Sequence, residues 1–255
     1  MKGEDFPDQP QIELIRERLW SGREFGRASV MIGAGFSKNA QGSSPTLSPF
    51  PSWGELASVM YQALYPPNRS DSKSWEEVEK TTTSGTGAMG LSSEYEALFG
   101  RAALDDLISR SIPDERFEPG PLHSRLLSLP WSDVFTTNFD TLLERARTHP
   151  EVYERKYELV LTPADLPLRA KPRIVKLHGS LPSHRPFVIT DEDYRTYPDR
   201  FAPFVNTVQQ SVMENALCLL GFSAERTSSW HTPCGIISLG AKPISVIESS
   251  TFVYW

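Results

Sequence analysis

Cysteine is nearly absent: Cys218 and Cys234 are the only two in 255 residues. Two thiols cannot supply the four thiolate ligands of a structural zinc module. Cys218 stands in Ala216-Leu217-Cys218-Leu219-Leu220, where it reads as a small buried apolar residue. Such an inventory suits a reducing compartment, and the expected location is cytoplasmic. Long apolar runs are missing as well; none approaches the roughly 18 residues that a membrane span needs. The first residues, 1–11, are polar and acidic without an apolar centre, so they read as a flexible tail and not as a secretory signal. Nor is there an excess of positive charge. Lys and Arg number 26 against 32 Asp and Glu, a formal net charge of −6. That balance excludes a general nucleic-acid-binding surface, which needs clustered Lys and Arg to neutralise phosphates. It does not exclude a bound dinucleotide, because a few backbone N–H groups can hold a pyrophosphate on an acidic protein.

The length allows one domain with a full core, and 39% hydrophobic with 23% charged residues is ordinary for a globular protein. Ile12, Ile15 and Leu19 recur at helical spacing and predict an opening amphipathic helix. Residues 29–32 form a short apolar strand candidate. Residues 52–64 read as a helix capped by Ser52, with Trp53, Leu56, Val59, Met60 and Ala63 on one face. Residues 66–90 are rich in Pro, Ser, Thr and Gly and read as a mobile insertion or lid. One helix is expected over 95–108, another over 121–127, then a strand at 133–136 and a helix over 139–146. A strand at 173–177, helices from Asp191 and over 202–213, and a buried strand at 216–220 follow. Strands alternating with helices predict an α/β fold, a doubly wound, Rossmann-like parallel sheet with helices on both faces. Such sheets bind ligands at the carboxyl ends of their strands.

Three motifs fall at those ends. Gly33-Ala34-Gly35 follows the first strand; glycine permits a tight turn and lets backbone N–H groups approach a pyrophosphate. The third glycine of the dehydrogenase fingerprint is absent, and no ribose-binding acid stands about 20 residues on. Thr137-Asn138-Phe139-Asp140 is open to two readings. It is either a helix cap, which Asn and Asp favour, or a pair in which Asn138 orients a ribose or a water, with Asp140 beside it and Phe139 turned to the core. His178 precedes Gly179 at the end of a strand, and an imidazole with an ordinary pKa near ~6.5 suits a general base at neutral pH. His123, His149, His184 and His231 read as surface or satisfied core residues.

Together, Gly33-Ala34-Gly35-Phe36-Ser37, Pro51-Ser52-Trp53, Thr137-Asn138-Phe139-Asp140, Leu177-His178-Gly179, Ile189-Thr190-Asp191-Glu192-Asp193-Tyr194 and Gly221-Phe222-Ser223 resemble, in order and approximate spacing, the sirtuin family. The likeness is to its prokaryotic branch of NAD hydrolases and covers residues 12–223. It implies a sirtuin-like domain without a zinc module, with NAD as substrate and no metal. It further implies that Gly33, Ala34, Gly35, Phe36 and Ser37 line the dinucleotide. Thr137 and Asp140 stand near the nicotinamide riboside, and Gly221 and Ser223 near the adenosine. Asn138 and His178 are the implied catalytic pair. The implied activity is hydrolysis of NAD to nicotinamide and ADP-ribose as the effector of a bacterial antiphage defence system, controlled by homo-oligomerisation or a separate sensor protein. NAD-dependent protein deacylation and non-catalytic binding of NAD or ADP-ribose are the alternatives. Against deacylation stand the absent zinc cysteines, Thr137 in place of a Gln, and no acid and Arg after the glycine turn.

The tail departs from the pattern. After Gly221-Phe222-Ser223 the family continues through an acidic residue into Pro-Asn-Phe, whereas this chain has Glu225-Arg226-Thr227-Ser228-Ser229. Codons for Pro-Asn-Phe-Leu, CCG AAC TTC CTC, read one base late give Arg-Thr-Ser-Ser. Residues 224–255 are therefore expected to be divergent, with an out-of-phase reading from Arg226. Sequencing the gene tests this: a homologous frame that runs intact to Trp255 refutes it.

Overall fold

The computed structural model describes residues 9–43, 50–66, 72–83, 87–183, 186–222 and 248–249. In chain order the elements begin with α1 (Gln9–Leu19), β1 (Ala28–Ile32), β2 (Gln41–Gly42), α2 (Trp53–Leu64), α3 (Ser72–Thr82), α4 (Gly87–Phe99) and α5 (Arg101–Ser111). They continue with β3 (Phe117–Glu118), α6 (Pro121–Ser128), β4 (Asp133–Thr136), α7 (Leu142–Ala146), β5 (Glu158–Val160) and β6 (Arg173–Lys176). Last come α8 (Asp191–Arg200), α9 (Ala202–Glu214), β7 (Ala216–Leu220) and β8 (Glu248–Ser249). The sheet runs β5-β6-β4-β1-β7-β8, and every pairing in it is parallel. β2 and β3 form a separate antiparallel ribbon.

Alternation along the strands decides the layers, because successive side chains of a strand point to opposite faces. Val30, Ile32, Val134, Ile174 and Cys218 pack with Ile15 and Leu19 of α1, Leu126 and Leu127 of α6, and Leu143 and Ala146 of α7. Their strand neighbours Met31, Phe135, Val175 and Leu217 pack with Tyr197 of α8 and Phe204, Val205 and Val208 of α9. Helices thus cover both faces of a doubly wound α/β sheet, the architecture expected from the sequence. Burial pushes the Cys218 thiol up to about 12, so it is an inert core group.

A third cluster is a helical module at the carboxyl edge of the sheet. Leu56, Ala57, Met60 and Tyr61 of α2, Leu91 and Tyr95 of α4, and Leu104, Leu107 and Ile108 of α5 pack against Phe139, Leu181, Phe187 and Ile189. The latter four come from the loops that follow β4 and β6, so the module rests on the segments that carry the motifs. Arg101 fastens it: its guanidinium bonds Asp105 at 3.1 Å and Asp193 at 2.9 Å, and donates to the Phe187 carbonyl.

Several expectations meet corrections here. The single helix expected over 95–108 is two, because Gly100 adopts φ +84° and breaks it; Leu98 is left 65% exposed. In α2 the Ser52 cap is present as a capping box with Glu55, but Ala57 and Tyr61 are buried while Val59 is 42% exposed. The helix expected from Phe139 begins only at Leu142, with Thr141 as its N-cap. The segment 66–90, read as a mobile insertion or lid, contains α3 and the start of α4. Trp75 packs on Tyr61 at 5.4 Å and donates to the Tyr65 carbonyl at 2.9 Å. Residues 9–11, read as part of a flexible tail, already belong to α1. Residues 1–8 and, apart from β8, the divergent tail at 224–255 lie outside the described residues, as do Cys234, His184 and His231.

At the opposite end of the sheet from the motifs, the first residue of β4, Asp133, is fully buried. It bonds Arg173 at 2.8 Å and Lys171 at 3.0 Å. Asp133→Ala leaves a guanidinium in the sheet edge without its counter-charge. The expected loss is about 3–5 kcal/mol of folding free energy, read from urea unfolding.

Candidate active site

Four strands end level. Ile32 pairs with Thr136 and with Leu220, and Thr136 pairs with Lys176. The segments that follow these residues therefore leave the sheet side by side. Gly33 follows β1, Gly221 follows β7, and Asn138 and His178 each stand two residues beyond a paired strand end. Residues 40 positions apart in sequence are brought to one edge by register alone.

The glycine turn is built for close packing. Gly221 has φ +76°, and a Cβ on it would stand 2.5 Å from the Phe36 nitrogen; a Cβ on Gly33 or Gly35 would stand 2.7 or 2.8 Å from the Gly221 carbonyl oxygen. The Gly33 N–H donates to Leu220, the Gly35 N–H to Gly221, and the Phe36 N–H to Gly33, at 2.8, 2.9 and 3.0 Å. This corrects the reason expected for these glycines. Their amides are engaged by backbone carbonyls, and the missing side chains let the β1 turn seat against the β7 turn. Phe36 turns away, edge-on to His123 with ring centroids 5.0 Å apart.

Asn138 is the best-defined side chain of the site. Its Nδ2 donates to the Gly33 carbonyl at 3.1 Å and to Ser37 Oγ at 3.0 Å, and its own N–H donates to Thr136 Oγ1 at 3.1 Å. Ser37 in turn donates its hydroxyl proton to Asp140 Oδ2 at 2.7 Å. A carboxylate and a carbonyl only accept, so the direction of this chain is set from both ends and the amide has one orientation. Asp140 Oδ1 accepts the Leu142 N–H at 3.2 Å. Asn138 Oδ1 is left buried with no hydrogen-bond partner. A buried amide oxygen in that condition is an acceptor waiting for a donor. Of the two readings of this motif, the cap falls to Asp140, which accepts the first N–H of α7; Thr141 at the N-cap position makes no side-chain capping bond, and Asn138 takes no part in the cap.

Asn138 lines a small cleft that is open to solvent. Ser37, Ser52, Thr137, Asn138 and Asp140 are its polar lining residues; Ala34, Phe50, Pro51, Trp53, Leu56, Ile112 and Phe139 are its apolar ones. Phe139, expected to turn to the core, is buried between Trp53 and Phe187 and also borders the cleft. Gly33, Gly35, Phe36, Gly221 and His178 are not among the lining residues, and Ser223 lies outside the described residues.

His178 is fully buried at the end of β6, edge-on to Tyr194 and Tyr197 of α8 at 5.5 and 5.7 Å. Burial pushes its pKa down to about 3, opposed by the Asp193 carboxylate. The ordinary value expected from sequence is therefore corrected: the imidazole is neutral at physiological pH, with the lone pair of a base but little basicity.

Two buried side chains flank the site, one of which, Lys176, escaped the sequence reading. His123, read as surface or satisfied core, is buried, accepts the Gly120 N–H, and faces the Asp140 charge; burial lowers its pKa to about 4. Lys176 is 1% exposed, donates to the Asp140 carbonyl, and pairs with Glu144 at 2.9 Å. The signal for Lys176 was a charged side chain in the otherwise apolar run Ile174-Val175-Lys176-Leu177. Among the described residues no three His, Cys, Asp or Glu side chains gather as metal ligands, and no helix is long and apolar enough to cross a membrane.

Residues 132–228 match the family model described as SIR2-like domain. The chain is 36% identical over 112 residues to an NAD(+) hydrolase ThsA from Acinetobacter baumannii, covering 42% of this chain and 22% of that protein. It is 27% identical over 218 residues to an NAD(+) hydrolase ThsA from Enterococcus faecium, covering 83% of this chain and 40% of the relative. It is 21% identical over 266 residues to defense-associated sirtuin 2 from Bacillus subtilis, covering 97% of this chain and 24% of the relative. The chain thus spans well under half the length of these curated relatives.

Both buried imidazoles have folded-state pKa values below the unfolded value near ~6.5, so the unfolded chain takes up protons first as pH falls. Stability is complete above that value and is lost on acidification, toward about 4 for His123 and about 3 for His178. Urea unfolding between pH 6 and 4.5 is expected to lose on the order of 1 kcal/mol per pH unit for each imidazole. A flat profile across that window would contradict their burial.

Proposed function

We propose that this chain, whose residues 132–228 match a SIR2-like domain, is a sirtuin-like protein that cleaves the nicotinamide–ribose bond of NAD with water, releasing nicotinamide, ADP-ribose and a proton. The observation that carries this reading is the buried, unpartnered Asn138 Oδ1 beside an aromatic-walled cleft. A ribose hydroxyl or an attacking water is a donor that suits that oxygen, and the planar nicotinamide suits the wall of Trp53, Phe139 and Ile112. The ring is a cation in NAD and neutral once it leaves, so an apolar surround favours the product side of the cleavage. The ribose carbon passes through an oxocarbenium-like state, and holding a nucleophile against it is chiefly a matter of position. Asn138 supplies that position.

His178 keeps the role of proton acceptor that the family resemblance implies, although it is fully buried and does not line the cleft, so in this scheme the bound state must open a path to it. It is already in its neutral form, and Asp193 supplies the negative charge that favours an imidazolium. Ser37, Thr137 and Asp140 surround the nicotinamide riboside end. The family resemblance assigns the glycine turn with Gly33, Ala34, Gly35 and Phe36 to the phosphates and Gly221 and Ser223 to the adenosine; Ser223 lies outside the described residues. The names of the relatives, NAD(+) hydrolase and defense-associated sirtuin, support a place in bacterial defence; an antiphage role and a cytoplasmic location belong to the same proposal. Since those relatives are much longer, control by a further region, a sensor protein or assembly of copies belongs to the same proposal. The segment 66–90, anchored by α3, is a candidate cover for the site.

Purified protein incubated with NAD is expected to release nicotinamide and ADP-ribose in equal amounts. Asn138→Ala is expected to lower kcat on the order of 10²–10³-fold in protein that still folds, with the unfolding temperature lowered because the Gly33 carbonyl and Ser37 Oγ lose their donor. Absence of nicotinamide release by the parent protein, or full activity in Asn138→Ala, sinks the reading.

A further inference from the structure

Lys176 is an unusual residue to find fully inside a parallel sheet. An ammonium withdrawn from water is costly even when paired, and an apolar side chain of like volume would hold the same space as well or better. Its partners give it another purpose. Lys176 Nζ donates to the main-chain carbonyl of Asp140, two residues past Asn138, and pairs with Glu144 Oε1 at 2.9 Å. The same Glu144 oxygen accepts the hydroxyl of Ser180, two residues past His178, at 2.9 Å. The Leu181 N–H then donates to the Phe139 carbonyl at 2.8 Å. One buried ion pair therefore ties the loop that carries Asn138 to the loop that carries His178. None of Lys176, Glu144 and Ser180 lines the cleft.

We infer that Lys176 and Glu144, through Ser180, are positioning residues that hold the Asn138 loop and the His178 loop at a fixed separation for catalysis. The inference rests on the NAD-cleavage reading for its kinetic consequence. The ammonium serves two acceptors on the β4 side, the carboxylate serves one donor on the β6 side, and their opposite charges keep both in place. Loops without this tie remain attached to the sheet, since β4 and β6 pair directly over Asp133–Thr136 and Arg173–Lys176. What the tie adds is precision between the two side chains, and misplacement of about 1 Å is enough to slow an enzyme roughly 10²-fold.

The test separates support of the fold from placement of the site. Lys176→Met alone strands Glu144 and is expected to lower Tm. Lys176→Met/Glu144→Leu removes both charges and is expected to regain Tm. In that double variant kcat for NAD is expected to stay down at least about thirtyfold with KM changed less than about threefold. Recovery of kcat together with Tm overturns the inference. Should the double variant fail to fold, Ser180→Ala decides, with kcat expected to fall about fivefold or more at unchanged Tm; an unaltered kcat overturns the inference. Hydrogen exchange at the Leu181 amide is expected to quicken in Ser180→Ala, and unchanged exchange shows that the tie does not hold the loops. That readout does not depend on NAD, so a parent protein without NAD turnover sinks the functional reading and leaves the clamp to be judged by exchange.

Discussion

Thr136 pairs with Ile32 on one side and Lys176 on the other, and Ile32 pairs with Leu220, so four parallel strands stop at one level. Everything that works in this protein is hung from that row. A shift of one residue in any of these pairings would turn alternate side chains to the wrong face of the sheet. Val30 and Ile32 would exchange places with Met31, and the packing of α1, α6 and α7 on one side and α8 and α9 on the other forbids it. The hydrophobic layers fix the register, and the register fixes which loops are neighbours.

What those loops carry is a set of polar groups made directional by burial. Asn138 has one amide orientation because its Nδ2 faces a backbone carbonyl and a hydroxyl whose proton is held by Asp140. In water each of these bonds would exchange freely; removed from water, the chain has one arrangement that satisfies its members. The glycine turn serves the same end differently. Gly33, Gly35 and Gly221 allow two turns to approach until backbone meets backbone, which puts the Gly33 carbonyl within reach of Asn138. Asn138 Oδ1, buried and without a hydrogen-bond partner at the cleft, is an acceptor that the surrounding side chains do not satisfy.

Much of the fold was legible in the sequence because apolar runs of four or five residues, each ending in Gly, Thr-Asn or His-Gly, announce strands that empty into functional loops. The strands at 133–136 and 216–220 coincide with β4 and β7. The two-helix break at Gly100 was not legible, because Leu98 continues a helical spacing that only the exposed position of its side chain contradicts. α3 was hidden by composition: its apolar contribution to the core is little more than Trp75, so no apolar stripe marks it. β5, three residues long, is made by pairing with β6 and has no signal of its own.

The linear order of residues determined the fold class, the places where motifs could stand, and Asn138 and His178 as the candidates for chemistry. It also determined, through glycine at 33, 35 and 221, that backbone could approach backbone. Only the tertiary structure decided the pKa of His178, because desolvation by Tyr194, Tyr197 and the rest of its shell is a property of surroundings. It alone decided that Lys176, Glu144 and Ser180 meet, since their contact joins two loops more than 30 positions apart. Hydrogen bonds and solvation act over a few ångströms in space, and sequence distance carries no information about which groups will share that space.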